Sequence, residues 1–323
     1  MRDALKAGVV LAVAAMALSG CGSGGGGSSA PTASAAGSYI FLPKSLDNPY
    51  WVDARKGMED AATKLGVKAE FLGPPNENAA AQVSIFESAL ARHPLGIAVS
   101  PNDPGTVKDV ISRARAAGIP VIAWDGPVPD SQVQGYIGTD NVAAGEREGE
   151  ALAEAMGNKG KAAVVIGSLS APNLKQRLQG LLTALGKAPD IKVVATEESG
   201  ESVATAQDKA ETILQSNPDL TGMAGIGGSD LPGIAGALKA GGRCGTVKAV
   251  GFDVVPQGIE GMRGGCVAAL VSQKPFGMTA QAVKLLVDMH GGAATHPDGF
   301  SIDTGVVVVK PGDLEDFIAH APH

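Results

Sequence analysis

Histidine is scarce in this chain. There are five in 323 residues, at positions 93, 290, 296, 320 and 323, and none follows the end of a strand-like run. The commonest general acid–base group and metal ligand is therefore missing from the places where an α/β protein does chemistry. No His/Cys/Asp cluster has metal-ligand spacing. Phosphate loops are also absent. Gly157-Asn158-Lys159-Gly160-Lys161 lacks the glycine spacing and the Ser/Thr of a P-loop, and Asp230 stands where Gly225-Ile226-Gly227 would need its third glycine. Catalysis, a cofactor and a metal are accordingly not expected. Positive charge is short as well: 26 Lys+Arg against 33 Asp+Glu leave a net charge of −7. An acidic surface argues against nucleic acid and against charge-driven docking on anionic lipid.

Apolar runs long enough to span a bilayer are lacking too. The stretch Ala7 to Leu18 is short for that purpose. It follows a basic start, Met1 to Lys6, and leads into Ser19, Gly20 and Cys21, which is the layout of a secretory signal. A Gly/Ser/Ala tether, Gly22 to Ser38, comes next. Cysteine is limited to three residues. Beyond Cys21, Cys244 and Cys266 form an even pair, each just before a strand-like run, Val247 to Gly251 and Val267 to Ser272. Outside the cytoplasm such a pair is a disulfide candidate, with two separate thiols as the alternative. Aromatics make up only 4% of the chain, yet Tyr50 and Trp51 are adjacent, behind the polar run Lys44-Ser45-Leu46-Asp47-Asn48-Pro49.

What is present is a rhythm. Apolar runs at 39–42, 67–71, 96–99 and 119–124 alternate with helical spacing at Met58/Ala61/Ala62/Leu65, Val83/Phe86/Leu90 and Val107/Val110/Ile111/Ala114. The pattern repeats from Ala162 to Ser272, after a break at Gly138-Thr139-Asp140. Alternating strands and helices predict two doubly wound α/β domains on parallel sheets. In open parallel sheets, ligands bind beyond the carboxyl ends of the strands. Collected there are Lys44 to Trp51, Ser100, Asp125, Ser229-Asp230, Asp253 and Ser272-Gln273, with Arg177 on the second domain's first helix. Carboxylates and amides take hydroxyl hydrogens, Arg offers planar forked donors, and aromatic faces cover C–H surface, so the set suits a hydroxyl-rich small molecule.

The segments Asn48-Pro49-Tyr50-Trp51, Ile122-Ala123-Trp124-Asp125, Arg177-Leu178-Gln179-Gly180, Gly251-Phe252-Asp253 and Ser272-Gln273 come in an order that resembles the type I periplasmic sugar-binding proteins, the ribose-binding-like branch, from Ser38 to about Lys310. The resemblance implies two domains joined by three hinge crossings near Thr139, Gln273 and Asp303, with 38–139 plus 274–302 in one and 140–273 plus 303–323 in the other. It implies ligand contacts from Asn48, Tyr50, Trp51, Asp125, Arg177, Asp253 and Gln273, with Ser100, Asp230 and Lys44 as further candidates. Gly126 replaces an arginine some members carry, Glu201 stands near a linking position that is often aromatic, and Lys44 with Leu72-Gly73-Pro74-Pro75 looks more like the rhamnose and quorum-signal receptors of the same fold. Leu18-Ser19-Gly20-Cys21 resembles the bacterial lipobox, which implies a signal peptide at 1–20, lipid on Cys21 and a linker at 21–37. The expected protein is an extracytoplasmic, lipid-anchored monomer that captures a neutral monosaccharide or polyol for an ABC permease. A receptor presenting ligand to a membrane sensor would share the same binding chemistry. The sensory domain of a repressor would need a helix-turn-helix where the signal and tether stand.

Overall fold

The computed structural model describes residues 37–293 and 296–320. The signal-like stretch, Cys21 and nearly all of the tether lie outside the described residues. Residues 35–323 belong to one compact unit.

The chain opens with β1 (Tyr39–Leu42), α1 (Tyr50–Leu65), β2 (Ala69–Phe71), α2 (Ala79–Leu90), β3 (Gly96–Val99), α3 (Pro104–Ala116), β4 (Val121–Trp124) and β5 (Gly135–Gly138). It continues with α4 (Asn141–Ala155), β6 (Lys159–Ile166), α5 (Pro172–Gly186), β7 (Asp190–Glu198), α6 (Val203–Ser216), β8 (Leu220–Gly225), α7 (Asp230–Ala240), β9 (Lys248–Phe252), α8 (Pro256–Arg263) and β10 (Val267–Ser272). Last come α9 (Pro275–His290), β11 (Phe300–Asp303), β12 (Val307–Val309) and α10 (Leu314–His320). One sheet has the order β11-β5-β4-β3-β1-β2, the other β12-β10-β9-β8-β6-β7. All neighbours are parallel except β12, which runs antiparallel to β10. The chain thus passes between the sheets after β5, after β10 and after β11.

Every residue of β1, β3 and β4 is buried, because helices cover both faces of the sheet. Clusters under α1 and α9 on one face, and under α2 and α3 on the other, form the core of the first half. In the second half, α4 and α5 cover one face, and α6, α7, α8 and α10 the other. Helix starts are fixed by short polar side chains. Asn78, Asp103, Asp140 and Ser202 each accept a backbone N–H of the helix that follows.

Two boundaries differ from the sequence reading. The strand expected from Val67 begins at Ala69, because the Val67 amide is spent on Ala62 O, closing the end of α1 behind the left-handed Gly66 (φ 67°). The helix read from the Met58/Ala61/Ala62/Leu65 spacing begins already at Tyr50, where Asn48 Oδ1 accepts the Tyr50 amide at 3.0 Å. Tyr50 and Trp51 therefore stand in the first turn of a helix rather than at the end of a loop.

Cys244 and Cys266 are joined by a disulfide, with Cα atoms 4.2 Å apart. The bridge sits at the amino ends of β9 and β10, the end of the sheet away from the strand tips considered below. Among the described residues no helix is long and apolar enough to cross a membrane.

Candidate functional site

The carboxyl ends of both sheets face each other, and side chains from both bridge the gap. Lys44, in the loop after β1, is buried, and its Nζ donates to Asn173 Oδ1 on α5 at 3.0 Å. Asn48 stands beside Gly228, where an added Cβ would lie 3.5 Å from Asn48 Oδ1 and 3.0 Å from Asp253 Oδ2. The halves are therefore in contact around a polar cleft.

Asp125 leads the first half's contribution. It follows β4 in a left-handed conformation (φ 57°), and Tyr136 Oη donates to its carbonyl at 2.8 Å. Its Oδ1 accepts the Tyr50 hydroxyl at 2.8 Å and its Oδ2 the Ser100 hydroxyl at 2.7 Å. Burial pushes the Tyr50 phenol well above its ordinary pKa, and the Asp125 and Asp253 carboxylates push it further, so it stays a donor. Gln82 braces this wall from behind, donating to Pro43 O and Ser100 O at 2.8 Å each.

Trp51 is 4% exposed. Its ring meets Tyr50 and Trp124 edge-on, with centroids 4.8 and 5.4 Å away. It belongs to the apolar cluster that also holds Phe41 and Met58. Its contacts are thus with the core of its own half.

In the second half Arg177 is the hub. It is buried, with Nε donating to Asn141 Oδ1 at 2.9 Å, Nη1 to the Ile226 carbonyl at 3.3 Å and Nη2 to Gln273 Oε1 at 2.6 Å. Its guanidinium lies over the Phe252 ring, 4.2 Å from the centroid. Among the described residues Arg177 makes no ion pair with a site carboxylate; Gln273 stands between it and Asp253. Gln273 accepts from Arg177 and from the Thr139 hydroxyl at 2.9 Å, and hands its own amide to Asp253 Oδ1 at 2.8 Å. Burial raises the Asp253 carboxyl to about 6, with Arg177 and Gln273 opposing.

Asp230 is fully buried, and both its oxygens are taken within its own half. Oδ1 accepts the Ser199 hydroxyl at 2.6 Å and Oδ2 the Gly227 amide at 2.7 Å. It shapes the loop between β8 and α7. Burial raises its pKa, and the nearby Glu201 charge adds to that.

The structure thus gathers Lys44, Asn48, Tyr50, Ser100, Asp125, Arg177, Asp253 and Gln273 at one cleft, sets Trp51 behind it in the core, and gives Asp230 a supporting position. It adds Asn141, Asn173, Thr139, Phe252 and Glu77, which the sequence reading did not pick. Asn173 is in the first turn of α5 and Glu77 follows β2, so the strand-end rule applied to every strand would have reached both. Thr139 belonged to the stretch read only as a connector, and Asn141 follows directly after it. Phe252 looked like ordinary strand core.

The family model of the periplasmic binding protein domain matches residues 39–294. The D-allose-binding periplasmic protein of Escherichia coli is 30% identical over 266 residues, covering 80% of this chain and 86% of that protein. Among solved structures, an ABC transporter solute-binding protein from Burkholderia graminis in complex with D-arabinose superposes with a TM-score of 0.83 at 33% identity, over 89% of this chain and 98% of its own. A periplasmic solute-binding protein from Actinobacillus succinogenes with bound D-allose gives 0.80 at 27% identity, over 87% and 99%.

Proposed function

Because the chain belongs to the type I periplasmic sugar-binding proteins, a family of extracytoplasmic transport proteins rather than enzymes, we propose that it captures a neutral monosaccharide or polyol in the cleft and delivers it to an ABC importer. The observation that carries the neutral ligand is Arg177. Its donors are already placed on neutral acceptors, Asn141, Gln273 and the Ile226 carbonyl, while the groups around it include the carboxylates of Asp125 and Asp253. A ligand phosphate or carboxylate would meet those acids with three of the five guanidinium N–H donors already taken, and an unpaired buried charge costs several kcal/mol. A hydroxyl-bearing ligand fits better. Asp125, Asp253, Ser100 and the Tyr50 oxygen accept its hydroxyl hydrogens, and Asn48, Lys44 and Gln273 donate.

The halves close over the ligand by bending at the three crossings, and the closed face is what the permease recognises. The protein works as a monomer. Leu18-Ser19-Gly20-Cys21 supports lipid attachment at Cys21 after removal of the signal peptide. Thermal-shift screening tests the ligand class. A neutral sugar or polyol at about a hundred times its Kd should stabilise the protein by about 2.7 kcal/mol, read as a rise of a few degrees in Tm. Stabilisation by sugar acids or sugar phosphates with none by neutral sugars would overturn the assignment of Asp125 and Asp253.

A further inference from the structure

Two acids outside the set just assigned approach the cleft from opposite halves. Glu77 follows β2 and Glu201 follows β7. The Glu201 carboxylate lies over bare backbone: a Cβ at Gly167 would stand 2.1 Å from Oε1, and one at Gly227 3.0 Å. Two glycines thus make room for it. Among the described residues, neither Glu77 nor Glu201 takes a hydrogen bond or an ion pair from the chain. Around Glu201 stand Lys44, Arg177, Asp125, Asp47, Asp230 and Asp253. Around Glu77 stand Glu201, Lys44, Asp125 and Asp230. Lys44 and Arg177 are the cations of this group, and both point their donors at neutral acceptors. Acids from Asp125, Asp230, Asp253, Glu77 and Glu201 therefore outnumber bases where the halves meet, and a neutral ligand brings no charge to balance them.

We propose that Glu77 and Glu201 are a proton-holding pair of the binding site: closing the cleft over a neutral sugar takes protons from solution onto this pair, and the protonated carboxyl serves as a hydroxyl donor toward the ligand. The inference rests on the sugar-binding reading above. Burial, the largest cause, raises both carboxyls above their ordinary range; the neighbouring carboxylates add to it, while Lys44 opposes at both and Arg177 opposes at Glu201. The sign follows. In an open cleft both groups are wet and ionise in the usual carboxylate range. Below that range they are protonated in either state, and closure is unhindered. Above it, closure must gather protons that the open form has shed, so apparent affinity falls as pH rises, until the closed form too is ionised.

Isothermal titration with a neutral sugar chosen by the thermal screen tests this, run from pH 5 to pH 8 in two buffers of different ionisation enthalpy. The expected result is proton uptake near neutral pH, with affinity falling by up to about tenfold per pH unit for each proton taken up. E77Q/E201Q, permanently neutral at both positions, should lose most of the uptake and bind more tightly than wild type at pH 8. Equal affinity at pH 5 and pH 8 without buffer-dependent heat would overturn the inference and leave sugar capture standing. Undiminished uptake in E77Q/E201Q would overturn it too, by placing the protons elsewhere. If the variant does not fold, the wild-type titration still decides whether protons are taken up. If no sugar binds at any pH, the sugar-binding reading fails and this inference goes with it.

Discussion

Glu148 is a carboxyl with nothing to hold. It is fully buried on α4, and neither oxygen has a hydrogen-bond partner among the described residues. Burial raises its pKa well above the ordinary 4.5, with Arg177 opposing and the Asp230 and Asp253 charges adding. The folded chain therefore keeps a proton that the unfolded chain sheds above the usual Glu range. A raised carboxyl contributes fully to stability at low pH and loses that contribution as pH rises, by about 1.4 kcal/mol per pH unit. Glu148→Leu should remove this dependence and melt higher than wild type at pH 8, on the order of 1–3 kcal/mol for the buried group left unmade. A wild-type Tm that is flat from pH 5 to pH 8 would contradict it. Single residues were unevenly legible in the sequence. Tyr50, Asp125, Asp253 and Gln273 reach the cleft because they end strands or begin the helix that follows, and strand ends can be read from apolar runs. Glu148 could not be found that way: its neighbours Glu146 and Glu150 are also acidic, and only the helix register turns one of the three inward.

The pair α4 and α5 is held closer than side chains normally allow. A Cβ at Gly145 would lie 2.0 Å from Arg177 O, and one at Gly180 2.0 Å from Val142 O. Each glycine thus lets one helix backbone rest on the other, and Arg177 is aimed into the cleft from that contact. Gly145→Ala should push α5 away, lowering stability by about 1–3 kcal/mol and sugar affinity as well, since Arg177 moves with its helix. Chemical denaturation paired with ligand titration reads both. Unchanged affinity alongside lost stability would separate the packing from the aim of Arg177. Elements with a strong period were visible from sequence, including both runs of strand–helix units. The four-residue β5 and β11 were not. Glycines bound β5, and the next apolar residues beside β11 belong to a separate strand, β12. Their pairing, Gly135 to Gly138 against Phe300 to Asp303, joins segments far apart in sequence, which no local pattern reports.

The three crossings lie side by side and are tied to one another. Thr304 N donates to Gly138 O at 2.7 Å, Asp140 N to Asp303 Oδ1 at 2.9 Å, and the Thr139 hydroxyl to Gln273 at 2.9 Å. Bending must pass through all of them together. Attachment to a membrane would act on this whole body from one side. One acyl chain holds a protein only marginally, while two or more hold it stably, so Cys21→Ser should shift the protein from the membrane fraction to the soluble one. A variant that still sediments with membranes would mean the signal stretch itself is retained. The chain enters the first half at Tyr39, on the end of β1 away from the cleft. The second half ends in α10, whose Leu314 shares a core cluster with Val247 and Cys266 and whose Glu315 accepts from Arg263 near the far end of the other sheet. The entry and the exit thus sit on opposite jaws. With the tether held at a membrane, the jaw next to it would act as a stator and the other as the swinging arm, so a donor and an acceptor dye fused at the two ends would turn each capture event into a change in optical distance.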